Sequence, residues 1–224
     1  MDDGPSAVAE PAVGDGLPLQ VPGGWNAAMQ PDRPVPDGYG SYRLRILTDP
    51  GDTTTYAVHV SSIRSASELY VNGRLLARNG QPAAQAQDAE ARNAPFTASF
   101  TADESGIVEI VVQASNYNDP RRGGIVRSMR FGSESAIERE TQLSVAMQQM
   151  TLIACMIFAI YTFIVYLIGT RDARMLSFTA ALLCAVFVFG SGGEKLFLTW
   201  LPIPYDLDFK LKFLALVIGC SALL

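Results

Sequence analysis

The pattern of apolar and polar positions changes at residue 142. Before it, short stretches alternate apolar and polar residues with a period of two, and Gly, Pro, Asn and Asp separate these stretches. After Gln142 the chain is predominantly apolar as far as Leu224. Alternation with a period of two is typical of strands that bury one face, whereas about 20 consecutive apolar residues can cross a bilayer. We therefore predict a β-domain followed by transmembrane helices.

The polar part of the chain is predicted to be an all-β sandwich or jelly roll. Seven or eight short strands, separated by turn-forming residues, indicate this fold class. The alternation is clearest in residues 42–46, 56–60 and 107–112. The last strand is predicted at 125–131, and residues 83–91 are alanine-rich enough for a helical turn. Since all cysteines lie after residue 142, the domain is expected to be stabilised by its apolar core alone.

Two glycine-containing dipeptides predict local backbone conformations. Asn72-Gly73 joins two short apolar stretches and suits the positive φ angles of a type I′ hairpin turn. Gly123-Gly124 precedes the last predicted strand and is expected to supply positive φ there.

The apolar part is predicted to contain two membrane-spanning segments and the start of a third. Residues 143–168 carry no charge and exceed the roughly 20 residues that cross the hydrocarbon. Residues 175–193 form a second span after the charged turn 169–174, and residues 207–224 form the start of a third. The 14 residues from Leu211 onward are too few to cross, so we expect a fragment, a truncated gene product or an incomplete gene model.

Four polar residues lie near the ends of the spans. Gln148 and Gln149 are expected to hydrogen-bond to neighbouring helices, as polar side chains in lipid do. Glu194 and Lys195 either pair with each other at the interface or face water. The Lys and Arg counts on the two sides of the spans do not fix the orientation.

Charge and cysteine usage exclude several functional classes. The first 142 residues contain 12 arginines against 18 acidic residues, a formal balance of −6, and this speaks against a nucleic-acid-binding protein. Cys155, Cys184 and Cys220 lie too far apart for a zinc site and are expected to be small buried hydrophobes. Residues 1–16 are predicted to be a disordered lead-in without the features of a signal peptide. The sequence therefore does not show how the β-domain would be exported.

Short motifs in both parts of the chain resemble one receptor family. Those of the β-domain are Val21-Pro22-Gly23-Gly24-Trp25-Asn26, Gly38-Tyr39-Gly40-Ser41-Tyr42-Arg43-Leu44, Leu69-Tyr70-Val71-Asn72-Gly73-Arg74, Ala114-Ser115-Asn116-Tyr117 and Arg122-Gly123-Gly124. Their order over about residues 20–132 resembles the galactose-binding-like jelly roll of sugar-binding modules and of β-galactosidase accessory domains. It is more similar still to the sensor domain of bacterial seven-transmembrane receptors with diverse intracellular signalling modules. The motifs Gly192-Gly193-Glu194-Lys195, Leu201-Pro202-Ile203-Pro204 and Phe209-Lys210-Leu211-Lys212-Phe213-Leu214 resemble the connection between the second and third helices of the same family.

The resemblance implies that the chain is the input half of a membrane receptor. Residues 17–132 would be an extracytoplasmic sensor domain for a small ligand, with a carbohydrate as one candidate, and residues 133–142 would couple it to the first span. The implied location is the bacterial inner membrane, multi-pass in the lipid bilayer, and a homodimer of the intact receptor is left open. An intact relative would add further helices and a kinase, cyclase or phosphatase. Two alternatives remain: a membrane-anchored carbohydrate-binding module without signalling, and a non-functional truncated product.

No catalytic, metal or cofactor site is expected from the sequence. His59 is the one histidine of the chain, and it is expected on the solvated side of its strand. The sequence instead favours ligand binding, because aromatic rings stack on sugars, and amide and guanidinium groups form hydrogen bonds with hydroxyls. The candidate ligand-binding residues, in or beside loops, are Trp25, Tyr39, Asn116, Tyr117, Arg121 and Arg122. Structural roles are the alternative to ligand binding: Trp25 would close the edge of the domain, and Asn116 would cap a turn.

Overall fold

The computed structural model describes residues 16–26, 35–103, 105–169, 171–201 and 203–222. Within these ranges seven strands precede four helices. The strands are β1 (Gly38–Leu47), β2 (Thr55–Val60), β3 (Ala66–Val71), β4 (Arg74–Asn79), β5 (Phe96–Thr101), β6 (Ile107–Asn116) and β7 (Arg130–Ser133). The helices are α1 (Glu134–Ile168), α2 (Ala173–Ser191), α3 (Leu196–Trp200) and α4 (Tyr205–Ala222). The predicted lead-in lies outside the described residues except for Gly16.

The strands form two antiparallel sheets, which confirms the predicted all-β domain. One sheet has the order β1-β6-β3-β4 and the other the order β5-β2-β7. Side chains from both sheets share one apolar core, which includes Val58 from β2, Leu69 from β3 and Val112 from β6. The core therefore lies between the sheets, as alternation with a period of two requires.

The hairpin between β3 and β4 turns as predicted. Asn72 has φ 48° and Gly73 has φ 76°, which are the two positive angles of a type I′ turn. The prediction for the second glycine pair holds for Gly124, whose φ is 90°. The 3-10 turn Ala86–Asp88 falls within the alanine-rich stretch where a helical turn was expected.

The last strand is shorter than predicted, because Ile125 hydrogen-bonds within a loop. Its N–H donates to the Tyr42 hydroxyl at 3.4 Å, and its carbonyl accepts from the Gly23 N–H at 2.9 Å. These backbone groups are therefore unavailable to a sheet, and β7 begins only at Arg130. The prediction of a strand from residue 125 is wrong for its first five residues.

Helix α1 joins the β-domain to the apolar part without a break. It starts directly after β7 and runs for 35 residues, so the predicted connector and the predicted first span are one helix. Helices α1 and α2 are both long and apolar enough to cross a membrane, and their most apolar 18-residue segments have mean hydropathies of 2.4 and 1.9. Only 11% and 17% of the residues in these two segments are buried.

The helices pack through a small apolar contact and a few polar ones. Leu152 of α1 and Val186 of α2 are buried together with Leu196 of the short helix α3, which was not predicted. Farther along, the hydroxyls of Thr162 and Thr179 lie 2.8 Å apart. Helix α4 packs along α2, and its first eight residues carry all its charges.

Candidate functional site: the docking site between the β-domain and the helices

A tight joint between α2 and α3 presents two charged residues to the β-domain. Gly193 and Lys195 have φ angles of 51° and 50°, and the Lys195 N–H donates to the Gly192 carbonyl at 2.7 Å. Gln148 of α1 secures the joint by donating to the carbonyls of Phe189 and Gly192 at 2.7 and 3.0 Å. This confirms the predicted interhelical role of Gln148. We use "joint" for residues 192–195. The docking site is the joint together with the β-domain residues that it contacts.

Glu194 is the centre of the docking site. Its side chain is 8% exposed, and its carboxylate contacts three other elements. One oxygen lies 3.1 Å from Nε2 of His59 on β2. The other accepts from Nη2 of Arg130 on β7 at 3.0 Å and from the hydroxyl of Ser144 on α1 at 2.9 Å. A single carboxylate thus connects two strands and the first helix to the end of the second.

His59 is buried, which corrects the expectation of a solvated histidine. It does lie on the face of β2 opposite the core, but the helices cover that face and leave it 2% exposed. Its Nδ1 lies 2.9 Å from the Thr97 hydroxyl. Burial lowers the pKa of His59 more than the nearby carboxylate of Glu194 raises it. A neutral imidazole that donates from Nε2 to Glu194 and accepts at Nδ1 from Thr97 satisfies both contacts.

Lys195 inserts into the β-domain beside Glu194. Its Nζ donates to the side-chain and backbone oxygens of Asn93, each at 2.6 Å, and to the Ser62 hydroxyl at 3.3 Å. Only 8% of the residue is exposed. Burial lowers the pKa of Lys195 to about 7, and the nearby cations add to this effect while Asp208 opposes it. Neither alternative weighed for Glu194 and Lys195 holds, because each pairs with the β-domain.

A second buried carboxylate connects the β-domain to α4. Asp119 is 1% exposed, and one of its oxygens contacts Arg121 at 2.6 Å and Arg64 at 3.2 Å. The same oxygen accepts from the Tyr205 hydroxyl in the first turn of α4 at 2.7 Å. Burial would raise the pKa of Asp119, but the hydrogen bonds from Arg121 and Tyr205 lower it to about 2. The Arg121 guanidinium also lies 4.6 Å from the ring centre of Phe209.

Three of the predicted ligand-binding residues have partners within the chain. Trp25 is 2% exposed and donates from Nε1 to the Pro36 carbonyl at 3.0 Å. Asn116 is fully buried and donates to the carbonyls of Pro36 and Asp119 at 3.0 and 2.8 Å. The Tyr117 hydroxyl donates to the Ala84 carbonyl at 2.6 Å. These contacts match the structural roles weighed for Trp25 and Asn116.

The other three predicted residues offer more accessible surface. Tyr39 is half-buried near the start of β1, and Arg122 is exposed with its side chain against Gly24. Arg121 contacts Asp119, and 52% of its side chain is exposed. Ligand binding by all six residues stays a prediction.

The docking residues gave only a weak signal in the sequence. Glu194 and Lys195 form a charged pair within an apolar region, and buried charges in such places are often functional. Their partners Asn93, Ser62 and Arg130 belong to no pattern that would single them out.

Comparisons with known proteins concern only the β-domain. No family model and no curated protein matches the chain. A β-galacturonidase from Eisenbergiella tayi is similar over 50% of this chain and 20% of its own, with 18% identity and a TM-score of 0.37. A putative β-galactosidase from Bacteroides fragilis is similar over 50% of this chain and 18% of its own, with 21% identity and a TM-score of 0.37. The β-glucuronidase from Ruminococcus gnavus matches 48% of this chain and 17% of its own, with 16% identity and a TM-score of 0.36. The chain therefore spans about a fifth of the length of these enzymes.

Proposed function

We propose that this chain is the input half of a bacterial membrane receptor. Its galactose-binding-like β-domain lies outside the inner membrane and senses a small ligand, and its helices carry the state of that domain across the bilayer. The observation that carries the proposal is the docking site, where Glu194 and Lys195 from the joint of the helical hairpin are buried against the β-domain.

The docking site suits transmission because it gives the β-domain two connections to the helices. The first is covalent, since β7 continues into α1 within one residue. The second is the ion pair between Arg130 and Glu194, together with the hydrogen bonds that Glu194 and Lys195 make to the β-domain. A flexibly anchored binding module needs only the first connection. With both, a rearrangement of β2 or β7 moves the end of α2 relative to α1.

The exposure of the helices supports a membrane location. The core helix of a soluble protein is mostly buried, whereas only 11% and 17% of the residues in the most apolar 18-residue segments of α1 and α2 are buried. Large apolar side chains such as Phe158, Ile160 and Tyr161 are at least half exposed along α1. Lipid is the partner that such a surface fits.

The test is whether release of the docking site changes the far ends of the helices. Spin labels at Ile168 of α1 and Ser221 of α4, in a background with the native cysteines replaced by serine, report the distance between those ends in lipid nanodiscs. Glu194→Ala combined with Lys195→Met releases the joint, and faster amide hydrogen exchange at residues 193–195 verifies the release. We expect the distance to change by about 1–2 Å, a typical helix shift.

Glu140→Ala is the matched control, because it removes a carboxylate that is 59% exposed from the same Arg130. We expect that variant to leave the distance unchanged. If release is verified and the distance between the labels still does not change, the helices do not carry the state of the β-domain. The chain is then an anchored binding module.

A further inference from the structure

The β-domain has an open cleft at the end of β2 opposite the docking site. Strands β4 and β5 belong to different sheets, and in the described part of the chain each is an edge strand with one hydrogen-bonded neighbour. Between them is a cleft of about 530 Å³. Thr55 at the first residue of β2 lines it, whereas His59 of the docking site lies four residues farther along the strand. None of the six residues predicted to bind a ligand lines this cleft.

The cleft combines an apolar floor with a polar rim. Val71, Leu76 and Phe100 form the floor, and all three belong to the apolar core or pack against it. The rim carries the hydroxyls of Thr55, Ser99 and Thr101, the guanidinium of Arg74 and the carboxylate of Asp103. Small-molecule sites are typically clefts of this size with an apolar lining and a few polar groups.

Hydrogen bonds and ring packing fix the rim and the floor before any ligand arrives. One Asp103 oxygen accepts from the Asn72 amide at 3.0 Å, and the other accepts from the Ser105 N–H at 3.0 Å and from the Ser105 hydroxyl. A carboxylate has further lone pairs for additional donors. The Phe100 ring packs against the rings of Tyr56 and Phe131, each 6.3 Å away, and these two rings lie 5.2 Å from each other.

We infer that this cleft binds a small, uncharged, polyhydroxylated molecule of mono- or disaccharide size. Arg74 donates, Asp103 accepts and the three hydroxyls do both, so the rim suits a ligand whose hydroxyls also do both. The opposite charges of Arg74 and Asp103 leave the rim without a net preference for an anion or a cation. The floor offers the apolar surface that one face of a pyranose ring buries.

The cleft would be the sensory input, a role that rests on the proposed function. Phe100 packs against Phe131 of β7, and β7 leads directly into α1. Thr55 and His59 lie on the same strand, so the cleft also shares β2 with the docking site. A ligand in contact with Phe100 is therefore linked through β7 to α1 and through β2 to the docking site.

Saturation-transfer NMR on the full chain in nanodiscs tests the binding, with D-galactose, D-glucose, D-mannose, lactose and maltose as probes. We expect transfer to the ring protons of at least one sugar, with a dissociation constant on the order of 1 mM because a small ligand in an open cleft makes few contacts. Ser99→Tyr places a large ring at the exposed edge of the cleft, and Arg74→Gln removes the donor; each is expected to weaken binding at least 10-fold. Arg43→Gln, an exposed arginine on β1 outside the cleft, is expected to bind normally.

In a Trp200→Phe background, fluorescence of the buried Trp25 verifies that Ser99→Tyr and Arg74→Gln are folded. No transfer to any of the five sugars overturns the inference, and so does binding that both variants leave intact. The helix distance then separates the two proposals. A sugar that binds in the cleft without changing the distance between labels at Ile168 and Ser221 leaves the cleft as a binding site and counts against the receptor. A distance that responds to release of the docking site while no sugar binds supports the receptor and removes the cleft.

Discussion

Arg130 contacts two carboxylates of very different burial, and this difference predicts two very different mutational effects. Its Nη2 donates to Glu194, whose side chain is 8% exposed, and its Nη1 donates to Glu140, whose side chain is 59% exposed; both distances are 3.0 Å. Removing one partner of a buried ion pair costs about 3–5 kcal/mol, whereas an exposed pair contributes about 0–1 kcal/mol. Since Arg130 itself is 25% exposed, we expect Glu194→Ala to cost about 3 kcal/mol, at the lower end of that range.

The free energy of unfolding of the β-domain is the quantity to measure. The chain contains two tryptophans, and in a Trp200→Phe background the emission of the buried Trp25 reports on the β-domain alone. Urea titration in nanodiscs converts a loss of about 3 kcal/mol into a midpoint shift of about 1–3 M, for the slopes typical of small domains. Glu140→Ala should shift the midpoint by less than a third of that amount.

Equal shifts for Glu194→Ala and Glu140→Ala would refute the reasoning, because they would mean that burial does not strengthen the contact. Glu194→Gln adds a further check. The amide keeps an acceptor for Arg130 and Ser144 without the charge, so its effect should lie between those of the wild type and Glu194→Ala.

Three further predictions concern pH, backbone conformation and helix packing. The pKa of Lys195 is about 7 in the fold and 10.5 in an ordinary lysine, so unfolding takes up a proton between these values. The free energy of unfolding should therefore rise as the pH increases from about 7 toward 10.5, and Lys195→Met should remove that rise in urea titrations. Gly73 and Gly80 have nearly equal φ angles of 76° and 74°, but a Cβ would meet open space at Gly73 and neighbouring backbone at Gly80. Gly73→Ala should thus cost about 1–2 kcal/mol and Gly80→Ala clearly more, and equal losses in thermal unfolding would contradict this. Gln148→Leu should weaken the packing of α1 on α2 by about 1–2 kcal/mol and speed amide exchange at the joint, whereas Gln149→Leu should leave that exchange rate unchanged.

The sequence predicted the strands well where alternation is strong. Residues 42–46, 56–60 and 107–112 all lie in strands, and Asn72-Gly73 located one hairpin to the residue. Strand β5 alternates too, with Phe96, Ala98 and Phe100 directed to the core, but its small residues made the pattern easy to miss.

The docking site could not be predicted in the same way. A period of two shows which face of β2 carries His59, but it does not show what covers that face. The partner, Glu194, lies 135 residues away along the chain. Long-range contacts of this kind are set by the packing of complete elements, and they leave no local pattern in a single sequence. For the same reason the sequence predicted a loop over residues 194–208, where the structure has α3 and the start of α4.

The continuity of β7 and α1 makes the first helix a lever. Thirty-five residues at a rise of 1.5 Å give a rod about 50 Å long. If its end at β7 tilts by about 5°, its opposite end moves sideways by about 4–5 Å. An adjustment in the β-domain that is too small to alter its fold can therefore change the lateral spacing of α1 and α2 at their far ends.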